Sequence, residues 1–247
     1  MNTTHHISLL EASKSDNDLT LASIFVNPIQ FNNRGDLEKY PRNESRDFAL
    51  LQANSCDAVF CPSVEEIYSQ FPQIKVEFGE SSKILEGKFR PGHFNGVALV
   101  VAKFFNIIQP TRAYFGQKDY QQFLLVAQLV KDLSIQTEIF CCPTQREPNG
   151  LAMSSRNERL NEVEKQEASL LFKSLSYAAK SLPERKLADI KRDVESHLTE
   201  SGIRLEYFEL ATRNGLEILD QYNPSIASIL LIAAYVGDVR LIDNLFV

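Results

Sequence analysis

Four short apolar runs, LTLASIFV (19–26), AVFC (58–61), AYF (113–115) and TEIFCC (137–142), punctuate the first part of this chain. Between them the apolar residues recur at helical spacing: 46–54, with Phe48 and Leu51 on one face, then 96–108 and 119–133. Strands separated by helical stretches are joined by crossovers rather than hairpins, so they are expected to run parallel under a cover of helices. This predicts an α/β fold. VEFG (76–79) reads as an additional strand on an excursion, and 7–18 carries a helical pattern.

The pattern changes after PTQREPNG (143–150), where Pro and Gly interrupt the chain. Residues 162–181 and 186–201 read as charged amphipathic helices, followed by strands near 205–211 and 226–235. A smaller α+β unit is therefore expected behind the first, with the domains at 1–145 and 146–247, a division that 247 residues can support. Neither part contains an internal repeat or a low-complexity segment.

Charge and hydropathy exclude several classes of function. A net charge of −6, from 26 Lys+Arg against 32 Asp+Glu, argues against a partner held by counterion release, which needs a concentrated basic face. The most apolar stretch, 226–237, falls short of the roughly 20 residues that cross a bilayer, and reads as a buried strand. With no charged-then-apolar leader pattern at the start, the expected compartment is the cytoplasm. Cys56, Cys61, Cys141 and Cys142 have neither CxxC nor CxxH spacing and read as structural, reduced thiols; no metal site is expected from them.

Polar clusters appear where strands end. In AYFGQKDYQQ (113–122) a buried strand meets Gly116, Gln117, Lys118 and Asp119, with Gln121 and Gln122 in the first turn of the next helix. Ligands of open α/β sheets sit at the carboxyl ends of strands, and a lysine there suits a phosphate. The plainer reading is a capped helix with a solvated lysine. SIFVNPIQF (23–31) stops at Asn27-Pro28 and then places Gln30 between Ile29 and Phe31, an awkward position for an amide unless something uses it, or else a simple turn. Arg90 and His93 bracket a Pro-Gly turn before a helix, where they could bind an anion or merely cap. Ser154, Ser155 and Arg156 set two hydroxyls beside a guanidinium, a combination suited to a polyphosphate.

Taken together, SIFVNPIQF, YPRNESRDFALL, VFCPSVEEIY, LEGKFRPGHFNGVALVVAKFFNIIQP, AYFGQKDYQQ, PTQREPNGLAMSSRN and the terminal VGDVRLIDN resemble pantothenate synthetase, the pantoate–β-alanine ligase family, across nearly the whole chain and in the family's order. The resemblance implies a Rossmann-like parallel-sheet nucleotidyltransferase domain, a smaller C-terminal lid domain and a homodimer. It implies ATP-dependent joining of pantoate to β-alanine through a pantoyl adenylate, with AMP and pyrophosphate released and Mg²⁺ on the phosphates. No nucleic-acid or membrane partner is implied. Gln30 and Gln122 match pantoate-holding glutamines, with Asn27, Arg90 and His93 assigned to the same pantoate and β-alanine region. Gly116, Gln117, Lys118, Asp119 and Gln145 match ATP-binding positions. Met153, Ser154, Ser155 and Arg156 match the family's version of the KMSKS loop, and His6, Lys118 and Arg156 are the catalytic candidates. A related HxGH-type adenylyl- or cytidylyltransferase is the enzymatic alternative.

The beginning departs from the family pattern. His6 takes the place of the second histidine of HxGH, while Thr3 stands at the first histidine's position and His5 at the glycine's. On local grounds alone, His5 and His6 also suit a tag remnant or frayed start. The family's opening strand has no counterpart, and unobserved residues or a misplaced start are the expected reasons. The alternative is a shortened, non-catalytic homologue that binds small molecules.

Overall fold

The computed structural model describes residues 3–32, 34–38, 40 and 43–247, and of 3–6 and 34 the backbone alone. The chain divides into two compact units, residues 3–116 with 121–142, and residues 117–120 with 143–247.

The first unit begins with α1 (Thr3–Asp16), followed by β1 (Leu21–Ser23), a 3-10 turn at Pro28–Gln30, and α2 (Arg34–Glu38). Next come α3 (Glu44–Ala53), β2 (Ala58–Phe60), α4 (Val64–Ile67), a 3-10 turn at Gly79–Ser82, and α5 (Glu86–Phe89). It continues with α6 (His93–Ile108), β3 (Arg112–Gly116), a 3-10 turn at Gln117–Asp119, α7 (Tyr120–Asp132) and β4 (Glu138–Cys142). Side chains fix several of these starts. Asn43 accepts from Arg46 N–H to cap α3, and Ser63 with Glu66 forms a reciprocal capping box on α4.

All described strands of this unit pair in parallel, as the alternation predicts, but in two pairs rather than one sheet: β1 with β2, and β3 with β4. No ladder joins β1 to β3 among the described residues. Helix α6 serves both pairs. Its Phe104 meets Phe25 and Phe60 at ring-centroid distances of 5.7 and 5.3 Å. Val97 and Phe105 of α6 join Val126 of α7 in a core that also takes in Ala113, Phe115 and Ile139.

The excursion at 76–79 is not a strand. Val76 N–H donates to the Asn95 side chain, and Gly79, at φ +63°, starts the 3-10 turn. Only Val76 and Phe78 favour a strand, and without a ladder partner two such residues do not make one.

The second unit contains a 3-10 turn at Ser155–Arg159, α8 (Glu162–Ser181), α9 (Leu187–Glu200), and an antiparallel sheet of β5 (Arg204–Thr212), β6 (Ser228–Val236) and β7 (Val239–Phe246), with β6 in the middle. An Asn161–Glu164 capping box starts α8. Leu171, Leu175 and Ala178 line one face of α8, with Leu182 capping its end, and Ile190, Val194 and Leu198 line one face of α9. Both stripes bury against Leu210, Leu230 and Ile232 of the sheet. The strand β7 lies beyond the strands anticipated from sequence; Gly237-Asp238 makes the two-residue hairpin turn that leads into it. None of the described helices is long and apolar enough to cross a membrane.

Leu175 is fully buried, so Leu175→Ala is expected to lower the unfolding free energy by about 2–5 kcal/mol in urea titration. Val163→Ala, on an exposed face of α8, should change it by less than about 0.5 kcal/mol.

Candidate functional site

In the first unit the polar residues that follow β1 form a closed hydrogen-bond set. Asn27 is 2% exposed, and all four bonding positions of its amide are filled. Its Oδ1 accepts from Ile29 N–H at 3.3 Å and from the Tyr68 hydroxyl at 3.1 Å. Its Nδ2 donates to the Gly96 carbonyl at 2.9 Å and to Gln30 Oε1 at 3.2 Å. A carbonyl can only accept, so the contact with Gly96 fixes which end of the Asn27 amide is nitrogen. Gln30 Oε1 is thereby an acceptor, and its Nε2 is the end left to donate. Burial raises the Tyr68 phenol to about 12, so it remains a donor at neutral pH.

His93, the first residue of α6, faces the Gln30 carbonyl with Nδ1 at 2.9 Å and Arg90 Nη1 with Nε2 at 3.1 Å. The carbonyl needs a donor and the guanidinium an acceptor, which assigns the neutral Nδ1–H tautomer. Arg90 lies 3.8 Å from Glu86, itself 7% exposed. Glu86 N–H donates to Gln121 Oε1 at 3.0 Å, and Gln121 Nε2 donates to the Ser81 and Ile84 carbonyls at 2.8 and 3.0 Å. Thus Gln121 is a staple across the turn that holds Leu85 at φ +48°, ψ −124°, a strained conformation for leucine. Its amide is not available to a substrate. Gln122, one position on and half-buried, makes no side-chain hydrogen bond among the described residues.

In the second unit β7 carries two turns, since both Gln117–Asp119 and Ser155–Arg159 pack on it. The Lys118 side chain is 9% exposed, with Nζ 3.4 Å from Asp119. Asn244 Nδ2 donates to the carbonyls of Gln117 and Lys118 at 2.9 and 3.0 Å, and its Oδ1 accepts from Gln117 Nε2 at 3.1 Å. Tyr120 meets the Phe246 ring edge-on and donates to the Arg213 carbonyl.

Residues 145–153 form a tight turn: Arg146 bridges to Ala152, Met153 N–H donates to the Gln145 carbonyl, and Gly150 adopts φ +94°. A Cβ on Gly150 would lie 2.7 Å from the Phe172 ring. Arg146 stacks on that ring at 3.7 Å and binds Asp243 through both terminal nitrogens, at 2.6 and 3.0 Å. Burial pushes the Asp243 carboxyl upward; the Arg146 guanidinium, Asn244 N–H and, most weakly, Lys118 pull it back. Ser154 then caps the next turn by accepting from Arg156 N–H, and Ser155 and Asn157 are buried within it.

The structure therefore brings Asn27, Gln30, Arg90 and His93 together in the first unit. In the second it sets the Gln117–Lys118–Asp119 turn and the Ser154–Ser155–Arg156 turn on one strand, with Gln145 and Met153 paired in the connecting loop. Gly116 ends β3 in the first unit. The His6 side chain lies outside the described residues. Sequence reasoning gave no role to Tyr68, Glu86, Arg146, Asp243 or Asn244. The signals for the last two were the family-like segment VGDVRLIDN, to which no role was attached, and a pair of polar residues inside the apolar run RLIDNLFV.

A family model for pantoate–β-alanine ligase matches residues 3–246. The chain belongs to the pantoate–β-alanine ligase family. It is similar to the pantothenate synthetase of Cytophaga hutchinsonii, 44% identical over 98% of this chain and 87% of the relative. It is 45% identical to that of Thermosipho africanus, again over 98% and 87%. The solved pantothenate synthetase of Thermus thermophilus superposes with a TM-score of 0.92 at 38% identity, covering 98% of this chain and 88% of that one. The Francisella tularensis ligase, solved with β-γ ATP and β-alanine, gives a TM-score of 0.79 at 38% identity, covering 98% and 84%. Membership establishes the α/β fold class and a ligase of the pantothenate synthetase kind.

Gly96 is where α6 touches the Gln30 turn, and a Cβ there would lie 2.7–2.8 Å from backbone atoms of Gln30 and Ile29. In an unconstrained helix Gly→Ala gains about 1 kcal/mol. Here Gly96→Ala is expected to lower the midpoint of thermal unfolding instead, because backbone cannot give way as a flexible side chain does.

Proposed function

We propose that this protein condenses pantoate with β-alanine at the expense of ATP, through a pantoyl adenylate, releasing AMP and pyrophosphate. Family membership supports the reaction class. The observation that carries the site reading is the Asn27 amide, whose filled bonding positions turn Gln30 so that its NH₂ end is the one offered to a ligand. Such a donor suits a carboxylate or hydroxyl oxygen, the groups a small hydroxy acid presents.

In the first step a pantoate carboxylate oxygen forms a bond to the α-phosphorus of ATP as the bond to pyrophosphate breaks. Little covalent chemistry falls to side chains, so the protein contributes positioning and charge stabilisation. Gln30 and Gln122 hold the acid, with Asn27, Arg90 and His93 keeping the Gln30 turn in place. Gly116, Gln117, Lys118, Asp119, Gln145 and Met153 surround the nucleotide. Lys118, Arg156 and the hydroxyls of Ser154 and Ser155 take the phosphate charge, and His6 is assigned to the same step. In the second step the unprotonated β-alanine amine attacks the mixed anhydride, the amide bond forms and AMP leaves. An activated acyl group needs no enzyme nucleophile.

Mg²⁺ enters as part of the nucleotide substrate. Among the described residues no group of three or more His, Cys, Asp and Glu side chains could hold it independently. The Francisella tularensis relative was crystallised with an ATP analogue and β-alanine, which supports the same two ligands for this chain. A cytoplasmic homodimer, with residues 146–247 acting as a lid, completes the reading.

The deciding experiment supplies ATP and pantoate with and without β-alanine. Pyrophosphate release that needs pantoate, and pantothenate that appears only with β-alanine, is the expected result. Pyrophosphate release without amide formation would favour another nucleotidyltransferase activity. Lys118→Ala should reduce kcat by about 100-fold or more with little change in thermal stability, as for loss of one oxyanion-type donor. Gln122→Ala should raise the KM for pantoate and leave that for ATP nearly unchanged.

A further inference from the structure

We propose that Asn244 is a positioning residue for the phosphate-binding turn, acting through the backbone of Gln117 and Lys118. This deepens the reading of Lys118 as a phosphate ligand and rests on it.

The side chain at 244 has an uncommon set of partners. It is 1% exposed, and both of its amide hydrogens go to consecutive carbonyls, those of Gln117 and Lys118. Its oxygen takes the Gln117 side chain. One planar amide therefore fixes two successive peptide planes and the side chain of the residue preceding Lys118. The orientation of those planes determines the direction in which Lys118 leaves the backbone. A side chain needed only to fill space there would be apolar, because burying an amide costs free energy unless every bond is made.

The strand itself supplies the rigidity. Alternation along β7 sends Val239, Leu241 and Asp243 to the face that α8 covers, and Asn244 to the opposite one. Asp243, bound by the Arg146 fork, accepts from Asn244 N–H at 2.8 Å, and Arg146 Nη2 donates to the Asn244 carbonyl at 3.3 Å. Asn244 lies opposite Leu231 in the ladder, and its own N–H and carbonyl are both held by the ion pair. The same Arg146 ties down the turn at 150, donating to the Gly150 carbonyl at 3.1 Å. Neighbouring residues of one strand accordingly anchor two loops, Asp243 the one leading to Ser154–Arg156 and Asn244 the one carrying Lys118.

Two measurements test the assignment, and they fail separately. The first is amide hydrogen exchange on Asn244→Ser and Asn244→Ala. Faster exchange confined to 117–120 is expected, and exchange unchanged there, or raised throughout the second unit, overturns the clamp. The second is a double-mutant cycle with Lys118→Ala. Alone, Asn244→Ala should lower kcat by about 10- to 100-fold, the scale of an ångström-sized misplacement, while leaving the KM for pantoate unchanged. In the Lys118→Ala background the same change should cost less than about 3-fold, because the group it positions is gone. Full additivity, or an equal effect on pantoate, overturns the proposal, as does failure of both Asn244 variants to fold. Wild-type protein that releases no pyrophosphate from ATP and pantoate would instead overturn the proposed function, and hydrogen exchange would still report on the clamp.

Discussion

A carboxylate removed from water needs a partner of opposite charge with matching geometry, and in the second unit that requirement organises everything around β7. Asp243 is 4% exposed and meets the Arg146 guanidinium fork in the arrangement that planar groups favour. Because Arg146 must reach it, residues 145–153 fold back as a tight turn, Gly150 takes a backbone conformation that side chains disfavour, and Phe172 presents its ring face to the guanidinium. Removing either charge would leave the other without its ion-pair partner. The arrangement is thus stiff in the place where loops carrying Ser154, Ser155 and Arg156 begin.

The first unit solves a different problem, through the direction of its hydrogen bonds. Its polar set contains one imidazole, one guanidinium and several amides, and directionality comes from the rule that carbonyls accept and guanidinium groups donate. From those two fixed points the orientation of Asn27, the tautomer of His93 and the polarity of Gln30 all follow. Specificity in such a set resides in which end of an amide faces outward, something that neither charge nor size alone would specify.

Much of this was legible from residue patterns. The stretch 162–181 coincides with α8 because its capping box, its apolar stripe and its charged outer face all agree. The parallel character of the first unit followed from strand spacing. The excursion at 76–79 misled because β propensity describes fit to a sheet, and no sheet is there to receive it. In β7, Asp243-Asn244 breaks the apolar alternation where the strand makes its contacts to the loops, which hid both the strand and its most informative residues. By local pattern Gln121 and Gln122 look alike, and only the family resemblance singles out the second. The carbonyls of Ser81 and Ile84 and the Glu86 N–H, brought close by a turn 35 to 40 residues earlier, reveal that the first is a staple.

Burial of the Tyr68 phenol reaches further than local packing. An ordinary tyrosine ionises near pH 10, about where a primary alkylamine sheds its proton. With its phenol raised to about 12, Tyr68 remains a donor to Asn27 Oδ1 through that alkaline interval. That one bond therefore keeps its donor at alkaline values where an exposed tyrosine would have become an acceptor.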